Sequence, residues 1–298
     1  MRSKVIGIFS AISLSLNLSI LALMLLSFPL AISILFSGLS KASAEGVVFY
    51  LFGIPLRLEA KVDPMVGIPA LTAIYSALMA LLLKGRSFEA ELPYKNDALS
   101  LAATFSILTL ILQLVDYVQK AFGLEVGEIC VCDPLYLLFY VSLSPITEEI
   151  GFRLCLVGVL GLLITGLGRD RLKALFRPKG RMDGWRMHTL ILLSSVLFAY
   201  FHLLGGWKAG KFAEALVAGY VLGRVYYSKG ILQAIMLHWS FNYFTSNLHC
   251  FDLAYGTQFE TALDWLVPFA GGSTVLTLVL LHVSGSLDLK RLLDPDAF

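Results

Sequence analysis

Charge is scarce in this sequence: Asp, Glu, Lys and Arg make up only 15% of its 298 residues, where soluble domains carry about a quarter. The deficit comes from long uncharged runs. From Val5 to Phe36 there is no acidic or basic residue, and at ~1.5 Å per residue a helix of that length outreaches a ~30 Å hydrocarbon core. A buried helix of a soluble protein seldom needs such a length, so a large soluble helical protein is excluded. Net charge is also small, +2, which removes any general electrostatic case for nucleic acid. The four cysteines lack the CxxC…CxxC spacing of a zinc site. No HExxH occurs, and neither an internal repeat nor a low-complexity tract.

What is present is a succession of apolar runs separated by charged or Gly/Pro-rich breaks. They mark helices near 5–37, 65–83, 98–119, 134–167, 188–204, 212–227, 230–247 and 264–284. The expected fold is therefore all-α, a polytopic bundle of about eight transmembrane helices forming one integral membrane domain over 1–298. Arg2, Lys4, an apolar stretch and Ala42-Ser43-Ala44 imitate a secretory signal, but signal h-regions span only about 7–15 residues. The first run is read as a retained transmembrane helix. With the amino terminus in the cytoplasm, that side carries fifteen Lys and Arg against six outside, seven of them in the loop from Arg169 to Arg186. The positive-inside rule then places the chain in the cell membrane with its N-terminus cytoplasmic. The basic loop needs no partner, although anionic lipid is available to it. Ala215, Gly219 and Gly223 fall four apart on one face, a spacing that lets helix backbones approach closely in lipid.

Ionisable residues inside a span cost at least ~2.5 kcal/mol each on insertion scales and mark functional sites by default. Three clusters qualify. In Glu148-Glu149-Ile150-Gly151-Phe152-Arg153, Glu149 and Arg153 are four apart and share a helical face, so they can pair. Glu148 points about 100° away and is left as a carboxylate free to act as a general base. The competing reading is one structural charge cluster bracing the bundle. Ser144-Pro145 resembles an N-cap with Pro at N1, which would break or restart the helix and expose Glu148 to a cavity. In Phe198-Ala199-Tyr200-Phe201-His202, a histidine ends an apolar helix; alone it reads as a hydrogen-bonded core or interfacial residue. In His238-Trp239-Ser240-Phe241-Asn242, two polar side chains four apart project from one face, as oxyanion donors or as interhelical glue.

Together the clusters put Glu148, His202, His238 and Asn242 on three helices of one bundle. A carboxylate and an imidazole activate water; a second imidazole and an amide stabilise a tetrahedral intermediate. That inventory suits amide hydrolysis without a covalent enzyme intermediate. His and Glu also suit zinc, but four adequate ligands would consume the groups catalysis needs, so metal-independent chemistry is expected and no cofactor.

The motifs EExxxR at 148–153, FxxxH at 198–202 and HxxxN at 238–242 resemble, in order and helical setting, those of the CAAX protease and bacteriocin-processing family (CPBP, or Abi), which includes the Ras-converting CAAX endopeptidase. The resemblance covers roughly 134–247, the expected catalytic core. It implies an intramembrane glutamic-type endopeptidase in which Glu148 activates water with His202 as partner, His238 and Asn242 hold the oxyanion, and Glu149 and Arg153 support the site. The partners it implies are membrane-anchored or lipidated peptides, within the bilayer. The same family includes immunity and scaffold proteins, so a non-catalytic membrane protein stays open, as does a proton-coupled transporter using Glu148 and His202. With the amino terminus inside, the loops holding Cys130, Cys132 and Cys250 share the outer compartment, where Cys250 could pair with Cys130 or Cys132.

Overall fold

The computed structural model describes residues 2–35, 44–84, 96–127, 133–165, 175–178, 184–244, 248, 252 and 256–287. The helices expected from the apolar runs are all there: α1 (Arg2–Leu35), α2 (Pro64–Lys84), α3 (Asp97–Ala121), α4 (Pro134–Glu148), α5 (Leu160–Thr165), α6 (Gly184–Leu204), α7 (Gly210–Lys229), α8 (Ile231–Asn242) and α9 (Phe259–Val283). Local chemistry sets several of the starts. Asn96 accepts from the backbone N–H groups of Ala98 and Leu99, and Asp133 accepts from those of Leu135 and Tyr136 with Pro134 following it. Both are side-chain caps for the orphan donors of a first turn.

Among the described residues, five helices are long and apolar enough to cross a membrane: α1, α2, α3, α6 and α9, over Lys4–Ile32, Pro64–Lys84, Asp97–Ala121, Trp185–Leu204 and Phe259–Val283. The chain is a multi-pass membrane protein. The charged motifs fall mainly on the shorter or more polar elements that these surround. Helix α8 is buried on almost every side, packing on α2, α3, α4 and α7. Its Trp239 lies between Phe28 of α1 and Tyr75 of α2, with ring centroids 5.3 and 4.8 Å away and near-parallel planes. Such pairs add about 0.5–1.5 kcal/mol beyond area burial. The Tyr75 hydroxyl then donates to the Ser142 carbonyl of α4 at 2.6 Å. Four helices are locked together there.

The small-residue face of α7 meets α6: a Cβ on Gly219 would stand 3.2 Å from the Ser195 Cα, and one on Gly223 would stand 2.6 Å from Ile191. Close backbone approach is its function in the fold. Helix α1 is tied in by side chains as well, since Ser13 and Asn17 bond to Thr274 of α9.

Two local features depart from the sequence reading. Pro145 does not break or restart a helix; it lies inside α4, and Ser144 is no N-cap. The irregularity comes later, where α4 widens into a π-helical stretch over Glu149–Val159 before α5. Such i→i+5 turns are rare and frequent at functional sites. The second feature is an antiparallel hairpin, β1 (Ala44–Leu51) and β2 (Ile54–Val62), in what apolar runs alone left as a connection. Phe52 and Gly53 turn it with positive φ. Its register aligns Phe49 with Leu56 and Leu51 with Ile54, so these four residues share one outward, exposed, apolar face. Val48 and Tyr50 point to the other face, toward the π-helical stretch. The pairing expected of Cys250 with Cys130 or Cys132 lies outside the described residues, and Cys155 is a free thiol.

Candidate active site

The two carboxylates of the EE pair go separate ways. Glu149 and Arg153, both fully buried, approach to 3.2 Å as the spacing requires. Arg153 also donates from Nη2 to the Gly219 carbonyl at 3.2 Å and stacks its guanidinium 4.5 Å over the Phe198 ring. Its Nε and Nη1 nevertheless have no hydrogen-bond partner among the described residues. Arg153 therefore clamps the π-helical stretch to α6 and α7, its charge met by Glu149 and by an aromatic face.

Glu149 has a second role that sequence spacing did not reveal. Its Oε1 accepts from His238 Nδ1 at 2.8 Å, which fixes the imidazole's orientation and turns Nε2 the other way. That Nε2 lies 3.6 Å from Glu148 Oε2, beyond direct hydrogen bonding. Glu148 Oε2 is itself buried with no partner among the described residues. One imidazole thus sits between the two adjacent carboxylates, bonded to one and merely facing the other.

His202 is set differently. Its Nδ1 donates to the Phe198 carbonyl at 2.8 Å; because a carbonyl only accepts, Nδ1 carries the proton and Nε2 keeps its lone pair. The Phe198 ring packs edge-on against both imidazoles, with centroids 4.5 Å from His202 and 5.7 Å from His238. The phenylalanine of FxxxH is the spacer between two histidines as well as the platform for Arg153. Asn242 donates from Nδ2 to Ser144 Oγ at 3.1 Å, so Ser144 holds an amide on α8 rather than capping a helix.

His202, His238 and Asn242 line one cavity, together with Leu108, Leu112 and Phe241. Glu148 does not line it; it adjoins the cavity through His238. Convergence on a single cavity therefore holds for three of the four residues, with the fourth one contact behind. Lys211 and Glu214, also on the cavity wall, pair at 3.4 Å, and the Lys211 ammonium lies 4.3 Å from the Trp207 ring centre. Sequence reasoning passed over this pair because both sit at the start of α7, where charge reads as a helix end. Among the described residues, no three His, Cys, Asp or Glu side chains are grouped to hold a metal ion.

Chemically, the arrangement offers a carboxylate with an unoccupied oxygen, an imidazole with a free lone pair, a second imidazole oriented by a carboxylate, and a held amide. All adjoin a cavity whose wall also carries apolar side chains and the Lys211–Glu214 pair. Residues 131–244 match the family model of type II CAAX prenyl endopeptidases, Rce1-like. No curated protein and no solved structure matches the chain.

Proposed function

We propose that this chain, whose residues 131–244 match the family model of type II CAAX prenyl endopeptidases, Rce1-like, is a membrane protease that hydrolyses peptide bonds of membrane-anchored or lipidated substrates with Glu148 as the base. Glu148 and His202 activate water, and His238 and Asn242 hold the oxyanion of the tetrahedral intermediate. Glu149 and Arg153 position the others. The reaction runs without a metal ion or other cofactor. Residues 134–247 form the catalytic core of a single membrane domain in the cell membrane, with the amino terminus in the cytoplasm.

The observation that carries this reading is the placement of His238. Glu149 Oε1 accepts a hydrogen bond from His238 Nδ1–H at 2.8 Å, so Nε2 donates to an oxyanion only in the imidazolium form. With an imidazolium there, the Glu148 and Glu149 carboxylates would face two cations, it and the Arg153 guanidinium. A neutral cluster is far cheaper to keep out of water than one with an unpaired carboxylate. His202 keeps a lone pair on Nε2 to share the proton that water gives up. The apolar wall of Leu108, Leu112 and Phe241 suits aliphatic or prenyl groups beside the scissile bond.

The test is proteolysis of a library of membrane peptides, prenylated CAAX peptides among them, by protein in lipid nanodiscs. Cleavage read by mass spectrometry is expected with wild type and absent with Glu148→Gln. A protein that binds prenylated peptide and never cleaves any library member would favour a scaffold instead.

A further inference from the structure

The β1–β2 hairpin is built onto the helix that carries the EE pair. At Gly151, a Cβ would stand 2.3 Å from the Tyr50 Cβ and 2.7 Å from the Tyr50 carbonyl oxygen. Only glycine lets the strand backbone lie there. The Tyr50 and Phe152 rings are 5.3 Å apart, and Gly53, with φ +77°, seats the turn within 3.1–3.2 Å of the Leu156 and Phe152 side chains. The register turns Tyr50 inward and leaves Phe49 and Leu51 outward. Tyr50 is half-buried, one residue along β1 from an exposed apolar face and opposite a helix whose Glu148 has a buried oxygen without a partner.

We propose that Tyr50 is a positioning residue for Glu148, its phenol O–H supplying across one ordered water the hydrogen bond that Glu148 Oε2 lacks within the protein. This rests on the reading of Glu148 as the base. A water bridge of this kind serves nearly as well as a direct bond. The phenol is suited to remain a donor. Burial first, then the Glu148 charge and then Tyr140, push its ionisation well above the ordinary tyrosine range. Donation to the ionised carboxylate favours that form and lowers the pH at which the base becomes available. The groups facing Glu148 are Glu149 and Arg153 from the π-helical stretch, His238 from α8 and Lys211 from α7; Tyr50 from β1 is the neutral donor among them.

The experiment compares wild type, Tyr50→Phe and Glu148→Gln, each full-length in nanodiscs, on a fluorogenic prenylated CAAX peptide across pH. Tyr50→Phe keeps the ring and its contact with Phe152, so the melting temperature is expected to stay at the wild-type value. Its kcat is expected to fall about tenfold with KM unchanged, and the acid limb of its pH profile to move to higher pH. A Tyr50→Phe profile superimposable on wild type, with Glu148→Gln inactive, overturns the role of Tyr50 and leaves the base standing. Cleavage by Glu148→Gln overturns the base, and the role of Tyr50 with it.

Discussion

Between α1, α3 and α9, Ser13, Asn17, Ser106 and Thr274 are buried and bonded to one another: Asn17 Nδ2 donates to Thr274 Oγ1 at 2.8 Å, Ser13 and Thr274 meet at 3.1 Å, and Ser106 reaches Asn17 Oδ1 at 3.4 Å. Ser106 and Thr274 also donate to the carbonyls of their own preceding turns. Around the π-helical stretch, Glu149 and Arg153 are buried just as deeply, His238 nearly so and Glu148 partly, yet Glu148 Oε2, Glu149 Oε2, Arg153 Nε and Arg153 Nη1 have no hydrogen-bond partner among the described residues. The first cluster is neutral and satisfied. The second is ionisable and keeps bonding capacity open next to a cavity. Both hold helices together. A buried polar group without a partner costs about 1–3 kcal/mol, so leaving several in one place points to function rather than glue.

The comparison breaks most sharply at Arg153. Removing it by Arg153→Ala strands Glu149 and should cost ~3–5 kcal/mol, read as a large fall in melting temperature and in folded yield. Asn242→Ala should leave the fold near wild type and lower kcat by ~10²–10³-fold, the usual effect of losing one oxyanion donor; an unchanged kcat would move Asn242 into the glue class. In the neutral cluster, Asn17→Ala should cost ~0.6 and at most ~1.7 kcal/mol with cleavage per folded molecule unaltered. Any loss of turnover there would erase the distinction between the clusters. The smallest effect is expected outside the bundle, where Lys208 bonds to Glu125 in the loops flanking α3 and α7. Lys208 holds the Glu125 carboxyl below its usual range. Its contribution is present above the unfolded-state pKa and lost as pH falls through the lower folded-state value. The pair is exposed and screened by solvent, so Glu125→Gln should show no resolvable change in melting temperature at any pH.

The helices were legible because uncharged runs longer than a bilayer is thick seldom occur outside transmembrane segments, and the three motifs were legible because ionisable groups interrupt those runs. The Glu149–Arg153 pair followed from spacing alone, since four residues keep the two on one face even where the helix widens. The π-helical stretch did not follow, because i→i+4 and i→i+5 bonding leave no distinct side-chain pattern. Nor did the bond from His238 to Glu149, which depends on how α8 docks against that stretch. The hairpin had a signal: a short apolar run over 47–52, then Gly53, then Ile54, Leu56, Leu58, Ala60 and Val62 alternating with Pro55, Arg57, Glu59 and Lys61. A search for long runs passes over a period of two, and Tyr50 was missed with it. Ser144-Pro145 misled because the proline follows a residue type favoured at caps, while a membrane helix tolerates proline when neighbouring groups satisfy the freed carbonyl.

The division of labour between Glu148 and Glu149 is tested most directly by cleavage of a prenylated CAAX peptide by wild type and Glu148→Gln, with chelator added to a second wild-type sample. The account predicts a folded Glu148→Gln protein with no turnover and a chelated wild type with full turnover. Turnover by folded Glu148→Gln, or its loss on chelation of wild type, would contradict it.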